Sequence, residues 1–420
     1  MSDRPDAPGP LRRRGPRPLL LHLTLAMLGS SSSPAGWPSS NSGSPGSNAG
    51  FAEAIGRVAA ALGRFRADPA CAARTVAGDL AADRELLAGI AAYRRHPWHR
   101  DLPDPPAIWQ EGHSRLLDYA AGSAGEAVPV LFVPSLVNRA HVLDLAHGRS
   151  MLRWLAGQGV RPLLLDWGWP GEVERRFTLT DYVAGRLERA LTAAAAQARP
   201  VLAGYCMGGT LAVAAAERRP DLIRGLVLLA APWDFHADDP GRAAALAAAL
   251  PLFEPAMAFN ATLPVDAIQL LFALADPAAI AAKFRAFGRL PQDGQRARLF
   301  VALEDWLNDG LPLAAAVARE CLSGWYGANS PARGDWRIAG LAVDPARLRL
   351  PSLVVVPGRD RIVPPRSARP LSRLIEGATS LEPAAGHVGM VAGSRAEAEL
   401  WRPLQRWLRD LPLPRPPRGV

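Results

Sequence analysis

Apolar positions along this chain change period at about residue 107. From Phe51 to about Tyr93 they recur at helical spacing in alanine-rich stretches, FAEAIGRVAAALGRF and then LLAGIAAYRR; the proline-studded HPWHRDLPDPP (96–106) follows. Beyond it, short leucine and β-branched runs alternate with amphipathic stretches. VPVLFVP (128–134), RPLLLDW (161–167), PVLAGY (200–205), LIRGLVLLAAP (222–232) and LPSLVVVPG (350–358) predict strands. LDLAHGRSMLRWLAGQG (143–159) predicts a helix ending at glycine, and LTDYVAGRLERALTAAAAQA (179–198) a helix opened by a threonine cap. Continuous apolar strands alternating with helices predict an α/β architecture, a mostly parallel sheet covered on both faces. The alternation stops near Phe235. Residues 238–335 carry Trp, Phe and Leu at helical spacing with no strand pattern, as expected of a lid or cap over the carboxyl edge of the sheet.

These changes divide the chain into six stretches. Residues 1–50 form a low-complexity leader, expected to be disordered, and 51–106 a helical region and linker. Residues 107–237 and 341–412 are the two parts of the α/β core, 238–340 the helical insertion, and 413–420 a frayed tail. Within the leader, Arg12 to Arg14 before the apolar LLLHLTLAML (19–28) resemble a signal-peptide n-region, but no A-x-A cleavage site follows. The preferred reading is a short surface-seeking or packing helix.

Composition narrows the partners. The net charge is +9, almost all from arginine, with Lys283 the only lysine. The arginines are scattered, which fits ion pairs and the phosphates of a coenzyme better than a nucleic-acid surface. No apolar run reaches the roughly 20 residues needed to span a bilayer. Cys71, Cys206 and Cys321 cannot all pair and lack metal-ligand spacing, so a reducing, cytoplasmic setting is expected, with no metal.

One cysteine stands where chemistry is expected. GYCMGGT (204–210) lies between a strand and a helix, in the small–x–nucleophile–x–small pattern of a nucleophile elbow. Gly204 and Gly208 are expected to face each other across the turn, and Gly209 to ease helix–strand packing. The helix N-terminus favours a Cys206 thiolate, and the Met207 N–H is placed to serve an oxyanion. The alternative is a buried structural cysteine. An elbow calls for an acid and then a histidine downstream. Asp360 follows the strand of PSLVVVPGRD, and His387 lies in PAAGHVGM, at intervals of 154 and 27 residues. His141 and His236, near strand ends, are rivals; His22, His96, His99, His113 and His147 sit in leader, linker or helix-surface contexts. Asp360 also suits a turn-stabilising Asx role. For a second oxyanion donor, FVPSLVNRAHVLDL offers the backbone of Leu136 or Val137, with Ser135 and Asn138 shaping the turn; Val137 is the candidate.

LVNRAHVLDL, LLLDWGWPG with LTDYV, GYCMGGT, LLAAPWDF, EDWLNDGLPLA and GRDRIVPP with GHVGM together resemble the polyhydroxyalkanoate synthases, in family order over roughly residues 110–410. DWGWPG with LTDYV looks closest to the short two-subunit type. The resemblance implies an α/β-hydrolase fold and polymerisation of (R)-3-hydroxyacyl-CoA with release of coenzyme A. It also implies Cys206 as acylated nucleophile, His387 as base and Asp360 as acidic partner. No cofactor beyond the substrate's own coenzyme A is expected. Expected partners are the growing polyester, a homodimer mate or second synthase subunit, and a granule surface. Synthases often carry histidine after the acid, whereas Arg361 stands here. An intracellular polyester depolymerase or a thioesterase with a cysteine nucleophile is the competing reading.

Overall fold

The computed structural model describes residues 69–121, 127–275 and 277–411, together with Arg13, residues 15–20 and Leu23. The remaining leader, the FAEAIGRVAAALGRF segment, His22 and the tail beyond Leu411 lie outside the described residues. The chain forms two compact units. One takes residues up to His99 with Gln269–Asn308; the other takes Arg100–Ile268 and Asp309 onward. The insertion read from the sequence is therefore shared between them.

The larger unit is built on an eight-stranded sheet. Its strands are β1 (Ala107–Glu111), β2 (Ser114–Asp118), β3 (Val128–Val133), β4 (Val160–Asp166), β5 (Val201–Tyr205), β6 (Gly225–Leu229), β7 (Ser352–Val355) and β8 (Thr379–Leu381). They lie in the order β1-β2-β4-β3-β5-β6-β7-β8. From β4 to β8 neighbouring strands run parallel; β1 and β2 form an antiparallel hairpin, and β2 runs antiparallel to β4. Val130 to Val133, Val201 to Ala203 and Leu226 to Leu229 are all fully buried. Burial on both faces is why these segments read as unbroken apolar runs rather than alternating ones.

Two predicted helices come out differently. In the 143–159 segment only α2 (Met151–Ala156) is helical, α1 being Pro69–Arg95. Asp144–Ala146 pairs instead with Arg149–Ser150 as a small hairpin, turning at Gly148 with φ +67°. The Asp144 carboxylate is drawn inward by Arg100, Arg153 and the Tyr119 hydroxyl at 2.8–3.1 Å, and Ser150 caps the shortened helix through the Arg153 N–H. In the 179–198 segment the cap is Thr178 with Asp181, bonded reciprocally, while the Thr180 hydroxyl accepts from the Ala339 N–H. The insertion also holds a short antiparallel pairing, Thr262–Leu263 with Leu313–Ala314, and its Gly310 bridges to Asn138 of the core.

The smaller unit packs α1 on two helices of the insertion. Leu86, Ile90 and Tyr93 meet Phe284, Phe287, Ala297 and Val301, and Leu19 and Leu23 pack against this cluster. The described leader residues are thus tied down. Arg13 Nε donates to both Asp305 carboxylate oxygens, at 2.8 and 3.0 Å, and its terminal nitrogens reach the carbonyls of His96 and Trp98.

Among the described residues no single helix is long and apolar enough to cross a membrane. Pro240–Ala248 and Leu250–Asn260, bent by 42°, meet that length and composition only as a pair.

Candidate active site

The strand–turn–helix at GYCMGGT is built as its spacing predicts. β5 ends at Tyr205, and α3 (Met207–Arg218) starts one residue after Cys206. Cys206 has φ 55° and ψ −130°, a conformation that non-glycine residues rarely adopt and that projects its side chain off the sheet edge. Its N–H donates to the Leu229 carbonyl at 2.9 Å and its carbonyl accepts from the Gly209 N–H at 2.8 Å, so both chain directions are fixed. A Cβ at Gly204 would lie 2.4 Å from Gly209 Cα and 2.5 Å from the Gly208 oxygen. Gly208 is glycine for a different neighbour than expected: its Cβ would fall 2.1 Å from the Val133 carbonyl, at the end of β3. Gly209 lies against Ala231, where a Cβ would come within 2.4 Å. The elbow is therefore wedged between the ends of β3 and β6.

Asp360 follows the strand of PSLVVVPGRD, and His387 opens α4 (His387–Ala392); both are buried. His387 Nδ1 donates to Asp360 Oδ2 at 2.6 Å, while Asp360 Oδ1 accepts the Ile362 and Val363 N–H groups at 2.8 and 2.9 Å. One carboxylate oxygen thus meets the His387 ring and the other holds the aspartate's own turn. Cys206 lies close enough to the His387 ring to interact with it electrostatically. Burial disfavours the imidazolium. The Cys206 charge, the Asp360 and Cys206 hydrogen bonds and the Asp360 charge outweigh it, and the His387 pKa rises well above its ordinary value.

Val137 lies in the turn after β3, and its N–H reaches only the Ser135 hydroxyl, at a long 3.4 Å. The Met207 N–H stands at the first turn of α3, directly after the thiol.

The rival histidines are otherwise engaged. His236 Nε2 is 2.7 Å from the Tyr326 carbonyl oxygen. His141 is held neutral, its pKa pushed down to about 4 by burial and then by Arg100 and Arg139. His96, read as a linker residue, is buried, with Nε2 2.8 Å from the Gln292 carbonyl. His113 and His147 are exposed in hairpin turns beside β1 and beside Asp144–Ala146, not on helix surfaces.

Two tyrosines at the site carried no motif of their own. Tyr205 sets its ring 5.0 Å from that of His387, and its hydroxyl donates to the His387 carbonyl at 3.4 Å. Its place directly before the nucleophile was the available signal. Tyr326 comes from the insertion; burial and then the charges of Cys206 and Cys321 push its pKa up to about 12, which marks it as a neighbour of the thiol. Cys321 itself is buried and free.

A sequence model of the alpha/beta hydrolase fold matches residues 128–393. The poly(3-hydroxyalkanoate) polymerase subunit PhaC of Haloferax mediterranei is 30% identical over 72% of this chain, which spans 63% of that relative's length. Subunits of the same name from Synechocystis sp. and Allochromatium vinosum are 29% and 27% identical, over 67% and 68% of this chain and 78% and 81% of their own. Among solved structures, a monoacylglycerol lipase from Paleococcus ferrophilus is 19% identical, with a TM-score of 0.46 over 71% of this chain and 98% of its own. On these sequence likenesses the chain belongs to the alpha/beta-hydrolase fold family, and within it is similar to the poly(3-hydroxyalkanoate) polymerase subunits.

Proposed function

We propose that this chain polymerises (R)-3-hydroxyacyl-CoA into polyester through an acylated Cys206. The observation that carries the reading is the buried His387–Asp360 pair beside Cys206, a thiol rather than a hydroxyl at the elbow of a chain similar to these polymerase subunits. Exchange of an acyl group between two thiols is nearly isoenergetic, so loading preserves the activation of the thioester. Transfer of that group to a hydroxyl forms an ester and runs downhill.

In loading, the Cys206 thiolate attacks the thioester carbonyl, and the N–H groups of Met207 and Val137 stabilise the tetrahedral oxyanion. As the carbonyl re-forms, the carbon–sulfur bond to coenzyme A breaks, and the departing thiolate takes the imidazolium proton of His387. Acylation removes the Cys206 charge and hydrogen bond that raise the His387 pKa, leaving burial opposed only by Asp360. The imidazole then becomes a base at the moment one is needed. It takes the proton of an incoming 3-hydroxyl, whose oxygen attacks the acyl-cysteine. The ester bond forms, the acyl–sulfur bond breaks, and the Cys206 thiolate and His387 imidazolium are restored. Asp360 orients the ring in both halves. The thiol, imidazole and carboxylate supply this chemistry without a cofactor.

The same reading carries the finer expectations. A second subunit or a second copy is the expected partner, since the relatives are named as subunits. The site of action is the cytoplasm, at the surface of the product granule. A time course with 3-hydroxybutyryl-CoA tests the activity: coenzyme A release with polymer accumulation supports it. Release matched by free 3-hydroxybutyrate would make the chain a thioesterase instead.

A further inference from the structure

The turn that carries Val137 is not held by the hydrolase core alone. Residues 137–139 run antiparallel to 309–311, the limb that follows the helix Gln295–Asn308 within the insertion. The Leu311 N–H donates to the Val137 carbonyl at 3.0 Å, Asn138 pairs with Gly310 as an antiparallel bridge, and Arg139 Nε lies 3.4 Å from the Asp309 carboxylate. Three successive residues of the turn thus meet three successive residues of the limb.

The contact is close at its centre. Gly310 is buried, and a Cβ there would lie 3.0 Å from Val265 Cγ1 and 3.3 Å from the Val137 carbonyl oxygen. Its φ is outside the left-handed region, so alanine would be strained by space and not by backbone conformation. The Asn138 Oδ1 atom, 3.6 Å from that same Cβ position, is buried without a hydrogen-bond partner and does nothing to fix the turn from within. The weak Val137 N–H contact to Ser135, at 3.4 Å, leaves the amide available while the carbonyl on the same residue is pinned.

We infer that Gly310 is a positioning residue for the oxyanion: the limb after Asn308 clamps the Val137 turn, and only glycine at 310 lets that limb approach closely enough to aim the Val137 N–H. This rests on the proposed acyl-transfer reading, in which Val137 is the second oxyanion donor. An alanine at 310 pushes the Val137 carbonyl and, through the Val137 Cα that joins the two peptide units, displaces the Val137 N–H from its aim beside the Met207 N–H. Misplacement on that scale lowers the rate of the chemical step by roughly 10- to 100-fold while leaving the thiolate intact.

The test uses the full chain, wild type and Gly310→Ala, with 3-hydroxybutyryl-CoA as substrate and iodoacetamide as a probe of Cys206 that needs no oxyanion site. The expected result is a kcat lowered by roughly 10-fold or more, with KM and the alkylation rate each within about 2-fold of wild type. Adding Val265→Ala opens the far side of Gly310, lets the new methyl move off Val137, and restores most of kcat. An unchanged kcat, a fall matched by the alkylation rate, or a double variant no better than the single one would each overturn the inference. A wild-type chain that neither releases coenzyme A nor accepts an acyl group would instead remove the underlying acyl-transfer reading.

Discussion

The Asp360 carboxylate and the His387 imidazole meet at 2.6 Å, and the second Asp360 oxygen is occupied by two backbone N–H groups of its own turn. Asparagine keeps an oxygen for those N–H groups but cannot fix the imidazole in the same tautomer. Asp360→Asn should therefore lower kcat by about 10²- to 10⁴-fold with little change in melting temperature. Asp360→Ala should lower both, because the Ile362 and Val363 N–H groups lose their acceptor. Steady-state rates and thermal melts on the two variants check this split.

The His387 pKa is raised, so the imidazolium persists as pH climbs past the ordinary histidine value of about 6.5. Alkylation of resting Cys206 by iodoacetamide should accordingly show no step near pH 6.5. In His387→Gln the positive charge beside Cys206 is lost, and alkylation at pH 6.5 should slow by at least about 10-fold. A step near pH 6.5 in the wild type would mean that the pair is not formed before substrate binds.

Gly208 touches backbone, not a flexible side chain. With a Cβ placed 2.1 Å from the Val133 carbonyl, Gly208→Ala should destabilise by more than about 3 kcal/mol or fail to fold. Gly389→Ala, where no atom lies within 4 Å of the added carbon, should leave the melting temperature within a few degrees. Thermal melts of the two variants decide it.

Asp144 is fully buried between Arg100 and Arg153. Burial alone would raise its pKa, but hydrogen bonds from Arg153 and Ser150 and the two arginine charges outweigh it, and the pKa is lowered. A depressed carboxylate contributes stability that is present above its unfolded value of about 3.9 and is lost as pH falls through the folded value. Asp144→Ala should cost about 3–5 kcal/mol at neutral pH, because both guanidinium groups lose their partner. The deficit relative to wild type should shrink below about pH 4, measured by denaturant unfolding across pH.

The central strands and the candidate site groups are legible in the sequence for one reason: each rests on a short local pattern. β3, β5, β6 and β7 are buried on both faces and read as apolar runs; Cys206 lies in the elbow and Asp360 just after β7. The β1–β2 hairpin is hidden in the sequence because β1 is largely exposed, with only Ala107, Ile108 and Trp109 apolar in its run. Leu145, Leu152 and Leu155 have helical spacing, yet the pull of two arginines on Asp144 breaks that helix into a hairpin. The Val137–Gly310 pairing joins positions far apart in sequence, and a glycine inside NDGLPL carries no local sign of which backbone it must approach. Gly208 has no room for a Cβ, but the neighbour that excludes it is the end of β3, which only tertiary packing supplies.

Intact-protein mass spectrometry after brief incubation with 3-hydroxybutyryl-CoA tests the central claim most directly. The account predicts a 3-hydroxybutyryl adduct that maps to Cys206, lengthens by hydroxyacyl units with time, and is absent from Cys206→Ala. Coenzyme A release without any adduct on Cys206, or an adduct that survives in Cys206→Ala, would contradict it.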